Sequence, residues 1–153
     1  MKIRPARMGD IPAMSELINR HAELGRMLHR SVAYLYERVR NFSVCDVQGN
    51  IVGCCALEPV WSDLAELKSL AIVQGQQGKG IGKELVLGAF EAARELGVKR
   101  VFCLTREPGF FEKQGFVKLD RDALPHKVWS DCVSCPSKDQ CDEIALIAEL
   151  ADG

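Results

Sequence analysis

A glycine-rich segment that leads into an amphipathic helix is the feature of this sequence that most directly indicates a ligand site. Residues 77–82 read Gln-Gly-Lys-Gly-Ile-Gly, and an apolar run that predicts a strand, residues 67–73, comes just before them. Glycine has no Cβ atom to hold a ligand away from the backbone, and the first N–H groups of a helix have no acceptor inside the helix. The order of strand, glycine turn and helix therefore favours a pyrophosphate site over a turn without a ligand.

The details of the turn argue against two common nucleotide sites. A Walker P-loop needs Gly-Lys followed by Ser or Thr, which binds magnesium, and here Gly78-Lys79 is followed by Gly80. A dinucleotide fingerprint belongs to the first βαβ unit of its domain, whereas about seventy residues precede this turn. The sequence therefore indicates another pyrophosphate compound.

Three segments, in the same order along the chain, resemble motifs of the GNAT family of N-acetyltransferases. The glycine turn is similar to the family's acyl-CoA motif, Gln/Arg-x-x-Gly-x-Gly/Ala, with Gln77, Gly80 and Gly82 at its defined positions. Residues 65–72 resemble the family's fourth strand, which carries a Glu, and residues 110–116 resemble its Phe-Tyr-Glu-Lys-x-Gly-Phe element. The resemblance implies the GNAT fold, an α/β fold with a mixed central sheet flanked by helices, and acetyl-CoA as co-substrate.

The resemblance also implies which residues bind acetyl-CoA. They lie in the fourth strand, in the turn, at the start of the following helix and in the late aromatic element. They are Leu70, Ala71, Ile72, Gln77, Gly78, Lys79, Gly80, Ile81, Gly82, Lys83 and Phe111. Phe111 replaces a frequent Tyr of the family and cannot donate a proton, so we interpret it as a wall for the pantetheine arm, with a core position as the alternative.

Acetyl transfer to an amine needs a base for the amine and a hydrogen-bond donor for the thioester carbonyl. Glu66 is the candidate base, because it matches the family's carboxylate position. The alternative is an exposed strand Glu that pairs with Lys68, two residues along on the same face. Backbone N–H groups of residues 70–72 are the candidate donors, since this strand in the family separates from its neighbour. For the leaving thiolate, water, another group or no acid at all remain open.

A narrower resemblance indicates the acceptor. Residues 23–31 are similar to the Gly-x-Leu-x-x-Arg-Ser stretch of N-acetylglutamate synthases, which acetylate the α-amine of L-glutamate at the start of arginine synthesis. Residues 104–105 and 124–127 also resemble that family. The resemblance implies an amino-acid N-acetyltransferase of the short form, without an amino-acid kinase domain. Because Arg binds carboxylates in a bidentate way, Arg30 and Lys127 are the candidate ligands of the substrate carboxylates, with solvated surface cations as the alternative.

Other functions stay open on the sequence alone. The same chemistry could act on another small amine or on a protein N-terminus, although the basic stretch 26–30 favours an anionic acceptor over a polyamine or an aminoglycoside. A module that senses acyl-CoA without turnover is a further interpretation. The Arg-Ser pair that the synthases carry near their final strand is not evident here, where residues 141–143 read Cys-Asp-Glu.

Composition bounds the class of protein. The 153 residues predict one domain, 1–153, and the net charge of −1 predicts neither a nucleic-acid partner nor an anionic membrane surface. Seven cysteines, an odd number, and an N-terminus without the apolar stretch of a signal peptide favour a reducing, cytoplasmic location. A small-molecule amino acid is the expected partner, and a homodimer is left open.

A cluster of cysteines near the end of the chain allows three interpretations. Cys132, Cys135 and Cys141, with His126 just before them, could form a tetrahedral zinc site. They could also form a redox pair, or remain reduced and partly buried thiols. We favour reduced thiols, so no metal site is predicted. The other cysteines fall in predicted strands and are interpreted as small core residues; they are Cys45, Cys54, Cys55 and Cys103.

Hydrophobic periodicity and turn residues predict the elements that position these residues. The predicted order is β-α-α-β-β-β-α-β-α-β-β. The strands are 3–6, 42–47, 51–57, 64–73, 98–104, 116–119 and 144–150, and the helices are one that follows Asp10 as its N-cap, 31–38, 82–96 and 110–114. Gly97 is predicted to end the third helix.

Overall fold

The helices and strands follow one another in the predicted order. The computed structural model of the chain describes residues 1–124 and 143–150. The strands are β1 (Lys2–Pro5), β2 (Phe42–Val47), β3 (Asn50–Trp61), β4 (Leu64–Ile72), β5 (Arg100–Thr105), β6 (Val117–Leu119) and β7 (Ile144–Glu149). The helices are α1 (Ile11–Glu23), α2 (Val32–Glu37), α3 (Ile81–Leu96) and α4 (Pro108–Lys113). Predicted boundaries agree to within about two residues except at β3.

All the described strands form one sheet, in the order β1-β2-β3-β4-β5-β7-β6. Neighbouring strands run antiparallel except β4 and β5, which are parallel. A parallel pair requires a crossover connection, and α3 supplies it between β4 and β5. The predicted mixed α/β class is therefore confirmed.

β2 and β3 form an antiparallel hairpin, and β3 is longer than predicted. Gln48 and Gly49 form its two-residue turn with φ values of 53° and 86°, as a type I′ turn requires. The prediction ended β3 at Leu57, whereas the strand continues to Trp61. The extra residues pair with the start of β4, and such pairing between strands is not visible in the periodicity of one strand.

The two faces of the sheet are covered by different helices. The α3 face of β4 carries Ala65 and Leu67, which pack in the same core as the buried side of α3. Because side chains alternate along a strand, Glu66 and Lys68 lie on the opposite face. That face packs against α1 and α2 through Ile11, Met14, Leu17, Ile18, Leu35, Phe42, Val44, Cys54, Ala56 and Ala71.

The expected side-chain cap by Asp10 is wrong. Asp10 stands at the N-cap position of α1, but its carboxylate makes no cap hydrogen bond to that helix. It accepts hydrogen bonds from the Arg4 guanidinium at 2.8 and 3.0 Å and from the Arg7 N–H at 2.7 Å. The hydrogen bonds from Arg4 hold the pKa of Asp10 below its ordinary value, and Arg4 also contacts Asp46 at 3.2 Å. The carboxylate therefore links β1 to the helix instead of capping it.

The four described cysteines are buried and free, as predicted. Burial raises the pKa of each of their thiols, that of Cys55 to about 12, so all four stay protonated at neutral pH. Among the described residues, no helix has the length and apolar character needed to cross a membrane.

Candidate active site

The pairing of β4 with β5 stops partway along both strands. It covers Leu64 to Glu66 on β4, and its last pair joins Glu66 to Phe102. Both strands continue beyond this point, β4 to Ile72 and β5 to Thr105. In the described part of the chain no strand pairs with β4 on that side after Glu66, so backbone N–H and C=O groups of β4 face an opening between the two strands.

A β-bulge reshapes β4 within this opening. Ser69 has a φ of 55°, the left-handed conformation that non-glycine residues rarely adopt. The register between β3 and β4 shifts at the same place, because Cys54 pairs with Ala71 and Ala56 pairs with Lys68. Bulges of this kind redirect the backbone that follows them. The backbone N–H groups of residues 70–72, which are the donors predicted from the sequence, follow Ser69.

The glycine turn joins the end of β4 to α3, as predicted. Gly78 and Gly80 have φ values of 81° and 82°, and no atom lies within 4 Å of a Cβ built on either residue. Gly80 is the N-cap residue of the 16-residue helix α3. Since the first N–H groups of a helix have no acceptor inside it, the turn presents open space beside donors and the positive end of the helix dipole.

The glycine of the motif that lies inside α3 also has a packing role, which the sequence did not indicate. A Cβ on Gly82 would lie 3.0 Å from Cζ of Phe110, so this glycine allows α4 to pack close to the start of α3. Sequence reasoning named Phe111 and missed Phe110. The Phe-Phe pair before Gly115 was the available signal, but it does not tell which ring faces the helix.

Glu66 is buried, with 9% of its surface exposed. It lies opposite Glu58 of β3 in the register, and Nζ of Lys68 lies 2.6 Å from Oε2 of Glu58. The exposure that the alternative interpretation assumed for this side chain is therefore wrong. Burial, and to a lesser extent the carboxylates of Glu66 and Glu143, raise the pKa of the Cys103 thiol on β5.

The connection between α1 and α2 is held in place by residues that were not among the predicted site residues. The side-chain amide of Asn19 donates to the Arg30 carbonyl at 3.0 Å and accepts from the Arg30 N–H at 2.9 Å. The Arg30 guanidinium lies 4.5 Å from the centre of the Tyr34 ring, and that of Arg38 lies 3.9 Å from it. Cation–π contact of this kind limits the orientations of a guanidinium, so both the backbone and the side chain of Arg30 are positioned.

His21 connects the end of α1 to the end of β4. Its Nε2 lies 2.8 Å from the carbonyl oxygen of Ile72, the last residue of β4, so Nε2 carries the proton that it donates. Its Nδ1 then accepts from the Arg26 guanidinium at 3.4 Å. A second link runs from the Arg106 guanidinium to the carbonyl oxygen of Gly25 at 3.1 Å. The connection between α1 and α2 is thus held from the β4 side and from the end of β5.

Phe111 belongs to the core. It is buried and contacts the rings of Phe110 and Phe116 edge-on, with centroids 5.0 and 5.4 Å away. This agrees with the core interpretation, while a contact with the pantetheine arm stays a prediction. Several predicted residues lie outside the described residues, namely Lys127, His126, Cys132, Cys135 and Cys141. No group of three potential metal ligands occurs within residues 1–124 and 143–150.

A family model for the acetyltransferase (GNAT) family matches residues 13–116, a range that includes the parted strands, the glycine turn and α4. The chain belongs to the GNAT acetyltransferase family. The predicted fold and enzyme class are therefore confirmed: this GNAT protein is an N-acetyltransferase, and acetyl-CoA is its co-substrate.

Known relatives and solved structures agree with this family. An N-acetyltransferase of Chlorobaculum tepidum is 40% identical over 148 residues, which are 97% of this chain and 96% of the relative. An amino-acid acetyltransferase of Mycobacterium tuberculosis is 36% identical over 84% of this chain and 75% of its own length. The N-acetylglutamate synthase of Neisseria gonorrhoeae, solved with coenzyme A and N-acetyl-glutamate, has 32% identity and a TM-score of 0.90. That match covers 99% of this chain and only 35% of the larger protein.

The described residues fit acetyl-CoA. The open positions at Gly78 and Gly80 leave room for a pyrophosphate beside the start of α3. The parted strands leave backbone groups for the amides of a pantetheine arm. When bound, acetyl-CoA supplies the thioester whose acetyl group is transferred.

Proposed function

We propose that this protein transfers the acetyl group of acetyl-CoA to the α-amine of an amino acid, and that the amino acid is L-glutamate. The observation that carries the proposal is the position of Glu66, a buried carboxylate at the residue where β4 and β5 part. The similarity to an amino-acid acetyltransferase and to an N-acetylglutamate synthase, each above 30% identity, supports the choice of acceptor.

Glu66 is the proposed base. An ammonium group cannot attack a thioester until it loses a proton, and a positioned carboxylate accepts that proton directly or through one water molecule. The parted edge of β4 begins at Glu66, so the proton acceptor and the open backbone donors are contributed by one strand. This arrangement brings the base close to the bond that forms.

Backbone N–H groups of residues 70–72 are the proposed donors to the thioester carbonyl. They follow Ser69, in the part of β4 that no longer pairs with β5. Donors fixed before the reaction stabilise the charge that develops on the carbonyl oxygen. The side chain of Phe111 cannot protonate the leaving thiolate, and thiolate leaves without an acid more readily than an alkoxide does.

In this proposal the glycine turn binds acetyl-CoA. Gln77, Gly78, Lys79, Gly80, Ile81, Gly82 and Lys83 bind the pyrophosphate through backbone N–H groups and the charge of the two lysines. Leu70, Ala71 and Ile72 bind the pantetheine arm through their backbone groups. The exposed position of Lys79 and Lys83 at the start of α3 supports their contact with a solvent-facing anion.

Arg30 and Lys127 are the proposed ligands of the acceptor's carboxylates, and Lys68 and Arg26 are further candidates. The double anchoring of Arg30 by Asn19 and Tyr34 supports this role, because a guanidinium that is already oriented loses less entropy on binding a carboxylate. Acetylation of L-glutamate would place the enzyme at the start of arginine synthesis, in the cytoplasm. A homodimer is compatible with the proposal.

A panel of acceptors tests the proposal. Release of free thiol from acetyl-CoA is measured with L-glutamate, L-glutamine, L-aspartate, putrescine, an aminoglycoside and a peptide with a free N-terminus. Turnover should be highest with L-glutamate, and mass spectrometry should identify N-acetyl-L-glutamate. Turnover with a cationic amine and none with L-glutamate would contradict the choice of acceptor. Acetyl-CoA binding without thiol release on any amine would support an acyl-CoA sensor instead.

An arginine variant tests the carboxylate site. Arg30→Gln removes a charge-assisted hydrogen bond, which contributes about 1.5–3 kcal/mol, so the KM for L-glutamate should rise roughly 10- to 100-fold. The KM for acetyl-CoA should stay near the parent value. Arg40→Gln, at an exposed position outside the connection between α1 and α2, is the control and should change neither constant. Equal effects of the two variants would show that Arg30 acts as an ordinary surface cation.

A further inference from the structure

Cys54 is a fully buried residue of β3 that lies beside the bulge in β4. Its thiol donates to the carbonyl oxygen of Ser69, the left-handed residue, with Sγ 3.7 Å from the oxygen. Cys54 pairs with Ala71 in the register, two residues further along β4. The side chain of Cys54 therefore contacts the segment in which β4 departs from a regular strand.

The register of β3 and β4 explains why the Ser69 carbonyl needs a donor outside the regular strand pairing. Ala71 pairs with Cys54 and Lys68 pairs with Ala56, so Ser69 and Leu70 together lie opposite one residue of β3. In such a bulge the extra residue loses its regular ladder hydrogen bonds, and a buried carbonyl without a donor is unfavourable. The thiol gives the Ser69 carbonyl a donor.

The thiol remains a donor at all physiological pH values. Burial raises the pKa of Cys54 far above its ordinary value, while a hydrogen bond with the backbone of Ala71 lowers it slightly. The sulfur thus interacts with the backbone on both sides of Leu70. A left-handed conformation at a serine is strained, and it persists only where the surroundings hold it in place.

We propose that Cys54 is a positioning residue for acetyl transfer, whose thiol holds the Ser69 bulge and thereby orients residues 70–72 so that the N–H groups of Leu70 and Ile72 face the opening between β4 and β5. The inference rests on the donor role proposed above for these N–H groups. Cys54 itself does not touch substrate, because its side chain is buried in the core between the sheet and the helices α1 and α2.

The neighbouring residue provides a matched control. Cys55 is equally buried, but it lies on the opposite face of β3, and its thiol donates to the carbonyl oxygen of Leu85 in α3 with Sγ 3.7 Å from the oxygen. Cys55 is the β3 residue opposite the bulge, but a substitution of its side chain alters the core and removes a thiol hydrogen bond while the Cys54–Ser69 hydrogen bond stays in place.

Three variants separate the hydrogen bond from packing. Cys54→Val keeps an apolar side chain of similar size and removes the donor, Cys54→Ser keeps a donor and loses volume, and Cys55→Val is the control. In the full chain, Cys54→Val should lower kcat at least tenfold while the KM for acetyl-CoA changes less than threefold. Cys54→Ser should recover most of the loss, and Cys55→Val should keep the parent kcat. Equal kcat values for Cys54→Val and Cys55→Val would overturn the proposal, as would equal losses in both Cys54 variants.

A second measurement tests the role of Cys54 without any amine substrate. Amide hydrogen exchange at residues 70–72 is measured with acetyl-CoA bound, and it should become at least tenfold faster in Cys54→Val and remain at the parent rate in Cys55→Val. Unchanged exchange in Cys54→Val would overturn the role of Cys54 even if no acceptor were turned over. Absence of turnover in the parent protein, with the predicted change in exchange, would instead contradict the proposed function alone.

Discussion

The contact between β3 and the start of α3 gives a prediction whose size follows from the structure. A Cβ built on Gly53 of β3 lies 3.0 Å from Cγ2 of Ile81, 3.1 Å from Cδ1 of Ile72 and 3.1 Å from Cδ1 of Leu85. Carbon atoms in ordinary contact are about 3.5–4.0 Å apart. Gly53→Ala therefore pushes on the last residue of β4 and on the first turn of α3 together.

The expected cost of Gly53→Ala is moderate. Adding a methyl group to a packed core costs about 1–3 kcal/mol, and replacing glycine within a strand returns about 0.5–1 kcal/mol. The remainder, roughly 0–2.5 kcal/mol, corresponds to a lowering of Tm by up to about 10 °C for a protein of this size. Because Ile81 starts the helix at the proposed pyrophosphate site, acetyl-CoA binding should weaken about two- to fivefold, the size of one helix-terminus interaction with an anion.

Thermal unfolding and titration calorimetry with acetyl-CoA measure both effects. Gly9→Ala is the control, because no atom lies within 4 Å of a Cβ at Gly9 and its φ is not in the left-handed region. It should leave Tm at or slightly above the parent value and the Kd unchanged. A Gly53→Ala protein with the Tm and the acetyl-CoA affinity of the control would refute the close packing of α3 on β3 and β4.

Three further predictions concern stability and reactivity. Since the folded state lowers the pKa of Asp10, the native protein binds fewer protons than the unfolded chain, and the free energy of unfolding should fall as the pH drops below the ordinary value of 3.8; urea unfolding at pH 7 and pH 3 should show a smaller loss in Asp10→Asn. The four buried cysteines, whose thiols stay protonated, should react with iodoacetamide only in urea, and rapid labelling of any of them in the native protein would contradict their burial. Phe116→Ala should lower the free energy of unfolding by about 3–5 kcal/mol, and a loss below about 1 kcal/mol would contradict its place in the aromatic cluster.

The order of elements could be predicted because it depends on local signals. The apolar periodicity of α3 and the left-handed Gly97 that ends it, with a φ of 81°, are properties of one segment. Asp10 shows the limit of such signals. A carboxylate before a helix is usually a cap, and only the position of β1 brings Arg4 within reach of it.

The sequence motifs named candidate site residues but could not give their geometry. The glycine turn and Glu66 were identified from motifs, but the Ser69 bulge depends on the register of two strands, which no residue of β4 encodes by itself. The contact of Gly82 with Phe110 likewise depends on where α4 packs. The positioning of Arg30 by Asn19 joins residues eleven positions apart through a connection without regular structure.

The most direct test of the account compares Glu66→Gln with the parent protein in steady-state acetyl transfer to L-glutamate and in acetyl-CoA binding. Loss of a general base lowers turnover about 10²- to 10⁴-fold, so kcat should fall at least 100-fold while the Kd for acetyl-CoA changes less than threefold. Glu58→Gln, which alters the carboxylate opposite Glu66 in the register, should raise the KM for L-glutamate through its contact with Lys68 and keep kcat within a few-fold of the parent. A Glu66→Gln protein with the parent kcat, or a larger loss of kcat in Glu58→Gln, would contradict the assignment of Glu66 as the base.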